Sequence, residues 1–319
     1  MFEKEERYPV GGEDYPRTLQ EFEEWFSSEG AYIDYLRRVR WPEGFKCPGC
    51  GGRFAWSNSR GQLRCKKCQR QTSVTAGTVF EGTRKPLRVW LQTMWYVTTQ
   101  KHGISALGLQ RVLGFGSYQT AWAWLHKLRR SMVRPGRDRL RGEVEVDETY
   151  LGGVEPGVSG RETETKSIVM IAAEVRGRLI GRIRMARVED VSAESLVSFV
   201  QSTVQQGSIV RTDGWRSYAG LEKAGYDHRP KSIAGSGDPA HVLMPRVHRV
   251  AALLDRWWLG IYQGGISARH LDYYLDEFTF RFNRRGSWAR GMLFYRLVQQ
   301  ALQVDPTPYK GLVKGKQRE

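Results

Sequence analysis

The sequence has no long apolar run. The longest, Ile168 to Ala173, is six residues, far short of the ~20 that cross a bilayer. Its N-terminus (MFEKEERYPV) lacks the apolar stretch of a secretory signal. Cysteine is scarce, four in 319 residues, and absent outside one window, so no disulfide scaffold is available. Acidic residues are too few to balance the basic ones, 34 against 50 Lys and Arg, for a formal net charge of +16. A soluble, cytoplasmic protein without a membrane partner is expected. What is abundant is core material: 40% hydrophobic residues exclude wholesale disorder, and the length fits one large domain or two to three smaller ones. The positive excess favours polyanions, nucleic acid above all, although an Arg-rich composition alone also produces such a charge.

The four cysteines form two CxxC pairs, Cys47-Pro48-Gly49-Cys50 and Cys65-Lys66-Lys67-Cys68, separated by 14 residues. Each turn lets two thiolates converge on one ion, and two turns complete a tetrahedral site. Between them Phe54 and Trp56 stand at strand spacing, then a polar turn (SNSRG), then Leu63, the pattern of a zinc ribbon. Two local disulfides are the alternative, with nothing else pointing to an oxidising compartment. Four thiolates leave no open coordination position, so the Zn2+ is structural, and in so small a module it supplies folding energy. Arg53, Arg60, Arg64, Lys66, Lys67 and Arg70 decorate the ribbon and suit nucleic acid, although some ribbons bind protein instead.

Upstream, Leu19, Phe22, Trp25 and Phe26 recur at helical spacing, with Thr18 and Glu21 placed as a capping box. Downstream, Pro86 opens one helical stretch, and two more, ISALGLQRVLG and SYQTAWAWLHKLRRSM, flank Gly114-Phe115-Gly116. This is a helix-turn-helix layout, with Ser117 as cap of the second helix. Its first residues, Gln119 among them, then face bases, while Lys127, Arg129 and Arg130 reach phosphates. A plain three-helix bundle has the same periodicity. Residues 134–142 read as a basic linker between domains.

Beyond the linker the period becomes two. Glu143 to Asp147 alternates acid and valine, and Lys166–Val175 and Arg178–Val188 read as a hairpin around Arg176-Gly177. A helix capped by Ser192 follows, then a short strand, Ser208 to Thr212, ending in Asp213-Gly214. Three strands, a helix and a further strand suggest a mixed sheet of the ribonuclease-H type. Asp147 on the first strand and Asp213 at the end of a neighbouring one could bridge Mg2+ or Mn2+, while each alone is equally a strand-end or turn acid. A last long helix carries Leu271, Tyr274, Leu275, Phe278 and Phe282 at core spacing, with Arg281, Arg284 and Arg285 at its end.

These motifs carry a resemblance. The ribbon running into Gln71–Phe80, then Val146-Asp147-Glu148-Thr149-Tyr150-Leu151-Gly152-Gly153, Thr212-Asp213-Gly214-Trp215 and Tyr274–Arg285 together resemble the bacterial insertion-sequence transposases. Those enzymes join a zinc ribbon to a DDE-type ribonuclease-H core, and the resemblance spans roughly residues 18–300. It implies metal-dependent DNA cleavage at element ends and strand transfer to a target, on double-stranded DNA, by a homo-oligomer in the bacterial nucleoid. It makes Asp147 and Asp213 the first two metal carboxylates. The third ligand in this family comes from a later helix, as Glu, Asn or His, followed two turns on by Lys. His248 matches the third position, and Asp255 stands where the Lys is expected. Either Asp255 supplies a further carboxylate, with Arg249 or Arg256 holding phosphate, or this copy is impaired.

The expected architecture is α+β and multidomain. It comprises an N-terminal helical segment (1–43), zinc ribbon (44–80), helix-turn-helix-like region (81–133), basic linker (134–142), mixed α/β ribonuclease-H-like catalytic domain (143–305) and a frayed basic tail (306–319). Two other readings stay open: a DNA-binding regulator with a degenerate core, and a nuclease that cuts without joining.

Overall fold

The first two helices begin at hydroxyl caps. In α1 (Leu19–Trp25) and α2 (Glu29–Arg40) the side chains of Thr18 and Ser28 accept the N–H groups of Glu21 and Ala31. The expected capping box closes only halfway, because the Glu21 carboxylate takes the N–H of Arg17 (2.7 Å). The computed structural model describes residues 8–59, 61–134, 136–152, 163, 165–231 and 240–315. Arg60 of the ribbon, Pro135 of the expected linker, Gly153 of the strand-end motif and the last four residues of the tail lie outside that range.

Three short strands follow, β1 (Ala55–Ser57), β2 (Leu63–Cys65) and β3 (Gln71–Thr72), as an antiparallel meander. Arg40 at the end of α2 clamps the chain leaving the ribbon: its guanidinium donates to the carbonyls of Ser73 (3.2 Å), Val74 (2.6 Å) and Ala76 (2.6 Å). Then come α3 (Leu87–Thr99), α4 (Ala106–Leu113) and α5 (Tyr118–Arg130). Gly114, at φ +64°, ends α4 in the left-handed conformation that glycine adopts without a Cβ penalty, and Ser117 caps α5. The helix-turn-helix layout is therefore present. Its core is aromatic: Trp90 and Trp124 stack at 3.5 Å between centroids, flanked by Phe80 and Phe115.

A second group of elements builds one sheet: β4 (Glu143–Leu151), β5 (Ser167–Arg176), β6 (Leu179–Val188), α6 (Ala193–Thr203), β7 (Ile209–Thr212) and β8 (Asp227–Pro230). The strand order is β6-β5-β4-β7-β8. The first three strands run antiparallel, while β7 and β8 run parallel to β4. This is the mixed sheet expected of a ribonuclease-H-like core. Alternation along β4 sends Val144 and Val146 to one face, against Leu196, Phe199 and Val200 of α6. Three helices follow: α7 (Ala240–Leu243), α8 (Pro245–Tyr262) and α9 (Leu271–Asn283). On the opposite face α8 and α9 bury Val247, Leu254, Leu275 and Phe278 against Val169, Ile171 and Ile183. α9 also covers the exposed edge of β6. Asp272 accepts the N–H of Arg187, Asn283 takes both backbone groups of Ile183, and Arg285 reaches the carbonyls of Ile180 and Gly181. Arg281 pairs with buried Glu277 (2.8 Å), and Arg284 lies over the Phe280 ring. The arginines closing this helix thus hold the fold.

The chain ends in α10 (Arg290–Ala301) and α11 (Tyr309–Val313). It divides into two compact units, Met1–Arg134 with Ser287–Val313, and Pro135–Gly286 with Lys314–Glu319. Three expected boundaries move accordingly. Residues 287–305 do not close the catalytic domain but belong to the first unit. There Phe294 packs against Phe22, Tyr35 and Trp95, and Gly291 sits so close to the Pro16 carbonyl that any Cβ would collide with it. The linker is only partly a linker, since Leu140 is fully buried in the second unit and exchanges backbone hydrogen bonds with Thr203 and Gln205. Nor is the tail frayed throughout: α11 buries Leu312 and sets Tyr309 against Trp122 of α5.

Candidate functional site

The two CxxC turns are built alike. Gly51 and Gln69, each four residues after the first cysteine of its pair, have φ of +69° and +61° and donate their N–H groups to the carbonyls of Cys47 and Cys65. All four cysteines are free thiols, which removes the two-disulfide alternative. Their sulfurs lie within 4.8 Å of one another, with Cys47–Cys68 and Cys50–Cys65 each at 3.6 Å. Four sulfurs at ~2.3 Å from one Zn2+ would be about 3.8 Å apart, so the cluster fits a tetrahedral ion closely. Burial opposes a charge on Cys47, but the N–H groups of Gly49 and Cys50 offset it and bring the thiol down to about 6. Among the described residues this is the one group of three or more Cys, His, Asp or Glu drawn that close together.

The second centre grows from the acid–valine alternation of β4. Glu145 and Asp147 share a face, and both are buried. Glu145 accepts the N–H groups of Arg246 (2.7 Å) and Val247 (3.0 Å) in the first turn of α8 and pairs with the Arg246 guanidinium (3.1 Å). A carboxylate on a helix N-terminus is favoured by both the orphan N–H groups and the dipole. This anchor brings His248, in the same turn, to Asp147: Nε2 lies 3.6 Å from Oδ2.

Asp213 follows β7 directly. The parallel register pairs Glu145 with Arg211; Asp147 lies two residues further along β4, and Asp213 two residues past Arg211, just beyond the end of β7. Asp213 is held by its own turn, its Oδ1 accepting the Trp215 N–H at 3.0 Å. That turn leads into Tyr218, fully buried, whose hydroxyl donates to Glu148 Oε2 at 3.1 Å. Burial raises the Tyr218 hydroxyl well above its ordinary value, and the charges of Glu148, Asp147 and Asp213 raise it further. Three carboxylates thus share one neighbourhood at the C-terminal end of β7. Asp147, Asp213 and His248 carry oxygen and nitrogen donors of the kind Mg2+ or Mn2+ takes, but among the described residues they are not drawn together as closely as the four cysteines.

Residues 139–283 match the model of the ISXO2-like transposase domain, and residues 27–71 match the transposase zinc-ribbon domain. The chain belongs to the insertion-sequence transposases. The transposase is also 28% identical over 283 residues to an uncharacterized protein in transposable element ISH50 of Halobacterium salinarum, covering 80% of this chain and 91% of that one. No helix among its described residues is long and apolar enough to cross a membrane.

Other residues singled out in the sequence fall differently. Asp255 is an exposed residue two turns beyond His248 and so about 10.5 Å along the axis, and partial burial of its carboxyl raises its pKa above the ordinary value. Arg129 is corrected outright: it is 1% exposed, one turn beyond Leu125 on the inward stripe of α5, and cannot face DNA phosphate. Gln119 is exposed at the start of α5. Lys127 is half-buried, its ammonium 6.0 Å from the Trp90 centroid and its pKa lowered by that burial, and Arg130 donates to the Asp305 carbonyl. Lys66 and Lys67 are exposed, as are Arg249 and Arg256, while Arg64 lies over the Trp56 ring. Glu145, Glu148 and Tyr218 were missed as site residues. The strict alternation of Glu143 to Asp147 was the available signal for Glu145, while nothing local marks a buried tyrosine five residues past Asp213.

Proposed function

We propose that this transposase cleaves and transfers DNA strands at Asp147 and Asp213, with His248 completing the ligand set. The observation that carries the reading is the meeting of His248 with Asp147 on the face that Glu145 clamps to α8, beside a strand ending in Asp213. Mg2+ or Mn2+, when bound, supplies Lewis acidity to the scissile phosphodiester. Asp147 and Asp213, with His248 beside Asp147, are the residues that would hold it at this end of the sheet. Tyr218 keeps the Glu148 carboxylate turned toward the same end. In cleavage a water oxygen loses a proton and bonds to phosphorus while the P–O bond to the DNA 3′ oxygen breaks, and that oxygen takes a proton and leaves as a hydroxyl. In transfer the 3′ hydroxyl loses its proton and bonds to a target phosphorus while the P–O bond to the target strand's own 3′ oxygen breaks and that oxygen leaves with a proton.

The ribbon, with Zn2+ as its structural ion, and the helix-turn-helix bind element-end duplex through Lys66, Lys67, Gln119, Lys127 and Arg130, and Arg249 and Arg256 hold phosphate near the site. Two ends held together imply a homo-oligomer on DNA. The deciding experiment incubates the full-length protein and Mg2+ with DNA carrying the element's own ends. Cut ends joined to target are expected from the wild type and absent in Asp147→Asn and Asp213→Asn. Binding without cleavage would instead indicate a regulator with a degenerate core, and cut ends never joined a nuclease.

A further inference from the structure

Alternation divides the ribbon hairpin into two faces. Ala55 pairs with Cys65 and Trp56 with Arg64, and the Lys66 N–H donates to the Phe54 carbonyl at 2.8 Å, extending the ladder by one step. Cys65 turns toward the sulfur cluster, so Phe54, Trp56, Arg64 and Lys66 share the opposite face. That face is uncovered. Phe54 is 74% exposed and Trp56 41%, whereas Phe80 and Trp90 of the same unit are completely buried. Each ring stands across from a cation: the Arg64 guanidinium is 5.5 Å from the Trp56 centroid, and Lys66 is the cross-strand neighbour of Phe54. Arg53 and Lys67 are exposed beside them, and Gln71, opposite Arg64 on β3, continues the surface.

Two rings held in water on one edge strand mark a contact surface, and the cations around them select a polyanion. Intact duplex offers such a surface phosphates and groove edges, for which lysine and arginine suffice, and keeps its base faces stacked inside. Unpaired bases offer planar faces, and stacking on aromatic side chains is how single strands are held. We propose that this ribbon face binds unpaired nucleotides, their bases stacking on Phe54 and Trp56 while Arg53, Lys66 and Lys67 take phosphates. Arg64 lies over the Trp56 ring and fixes its orientation in advance. The proposal rests on the reading of the chain as a DNA-handling transposase and goes beyond it. It adds to the ribbon's duplex contacts at Lys66 and Lys67 a stacking face for strands separated at a cut or melted end.

The test is equilibrium binding of the full-length, zinc-loaded protein to an oligothymidylate of about 20 nucleotides and to a duplex of the same length. Phe54→Ala/Trp56→Ala is expected to weaken single-strand binding about 10- to 100-fold while duplex binding stays within about twofold. Phe54→Tyr/Trp56→Phe, which keeps both rings, is expected to retain the wild-type affinity, with zinc content measured in every variant to show the ribbon intact. Should the alanine variant lose zinc, the same comparison is made with Phe54→Ala alone, where about a tenfold loss is expected. Unchanged single-strand affinity in a zinc-loaded alanine variant overturns the proposal, as does a parallel loss on both DNA forms. A wild type that binds duplex but no single strand overturns this proposal alone. One that binds neither overturns the DNA-binding assignments of the transposase as well.

Discussion

Glu145 and Asp147 stand two residues apart on one strand, share a face, and are both buried, yet their surroundings give them opposite tasks. Glu145 is fully compensated by Arg246 and two N–H groups of α8. Its removal leaves those donors and a guanidinium unpaired, so Glu145→Ala is expected to cost about 3–5 kcal/mol in urea denaturation. Asp147 follows the fully buried Val146, stands opposite buried Ile171 on β5 and meets an imidazole at 3.6 Å. Burying an ionised carboxyl there is unfavourable without a cation, so Asp147→Asn is expected to leave the denaturation midpoint unchanged or raised while reducing strand cleavage by at least about 100-fold. A coupled loss of stability and activity in Asp147→Asn would make this acid structural. Tyr218→Phe removes one buried hydrogen bond, costing about 1 kcal/mol, and is expected to raise the Mn2+ concentration needed for binding as well as for cleavage. Exposed Asp255 carries none of this, and Asp255→Lys is expected to raise DNA affinity and steepen its salt dependence with no change in thermal midpoint. A denaturation midpoint shifted by more than about 1 kcal/mol would show Asp255 to be part of the fold.

At the scale of elements, the two knuckles share a backbone turn but not the residue at its left-handed position, which is Gly51 in the first and Gln69 in the second. A side chain in that conformation costs about 1–2 kcal/mol, so Gln69→Gly is expected to hold Zn2+ more tightly against a competing chelator, and equal or weaker retention would contradict the equivalence of the turns. In the sheet, a register shift between Ala173 and Val175 re-aims Glu174, whose carboxylate receives Arg182 at 2.8 Å and the backbone N–H of Arg182 and Arg141. Gly181 leaves room for it, since a Cβ there would lie 2.8 Å from the Glu174 Cβ. Burial pushes this carboxyl upward, but the Arg182 and Arg141 hydrogen bonds outweigh it and lower the folded value below the ordinary 4.5. A lowered folded value means stability present above about 4.5 and lost as pH falls through it. Glu174→Gln is therefore expected to flatten the fall in thermal midpoint between about pH 5 and 3. The bulge was not legible in the sequence, because the unbroken apolar run Ile168 to Ala173 leading into it has no period to interrupt. The hairpin around Gly177, the Ser117 cap and the core stripe of α9 were legible, because each is set by neighbours within a few residues. β8 was not, as Asp-His-Arg-Pro carries no apolar period and forms a strand only because β7 offers an open edge.

At the scale of the molecule, chain order misled where distant segments pack together. Residues 287–313 follow the catalytic elements in sequence, but their aromatic face fits the rings of α1, α2 and α3. Arg129 read as part of a basic run, whereas its place on the helix sends it inward. The net charge of +16 is consequently less available to DNA than its sum implies, because Arg40, Arg182, Arg246, Arg281 and Arg285 are spent on carbonyls and carboxylates within the fold. That Asp147 and Asp213 belong to neighbouring strand segments could be anticipated from motif order, while the approach of His248 to Asp147 depends on an anchor 101 residues away in sequence, Glu145 on Arg246. On the proposed mechanism Asp147, Asp213 and His248 act as one metal-dependent centre. The most direct measurement is Mn2+ binding, followed by the electron paramagnetic resonance signal of the free ion, to the zinc-loaded wild type and to Asp147→Asn, Asp213→Asn and His248→Ala. One shared class of sites is expected, weakened at least about tenfold in each variant and tightened by bound DNA. Wild-type Mn2+ affinity retained in Asp147→Asn or Asp213→Asn would contradict it.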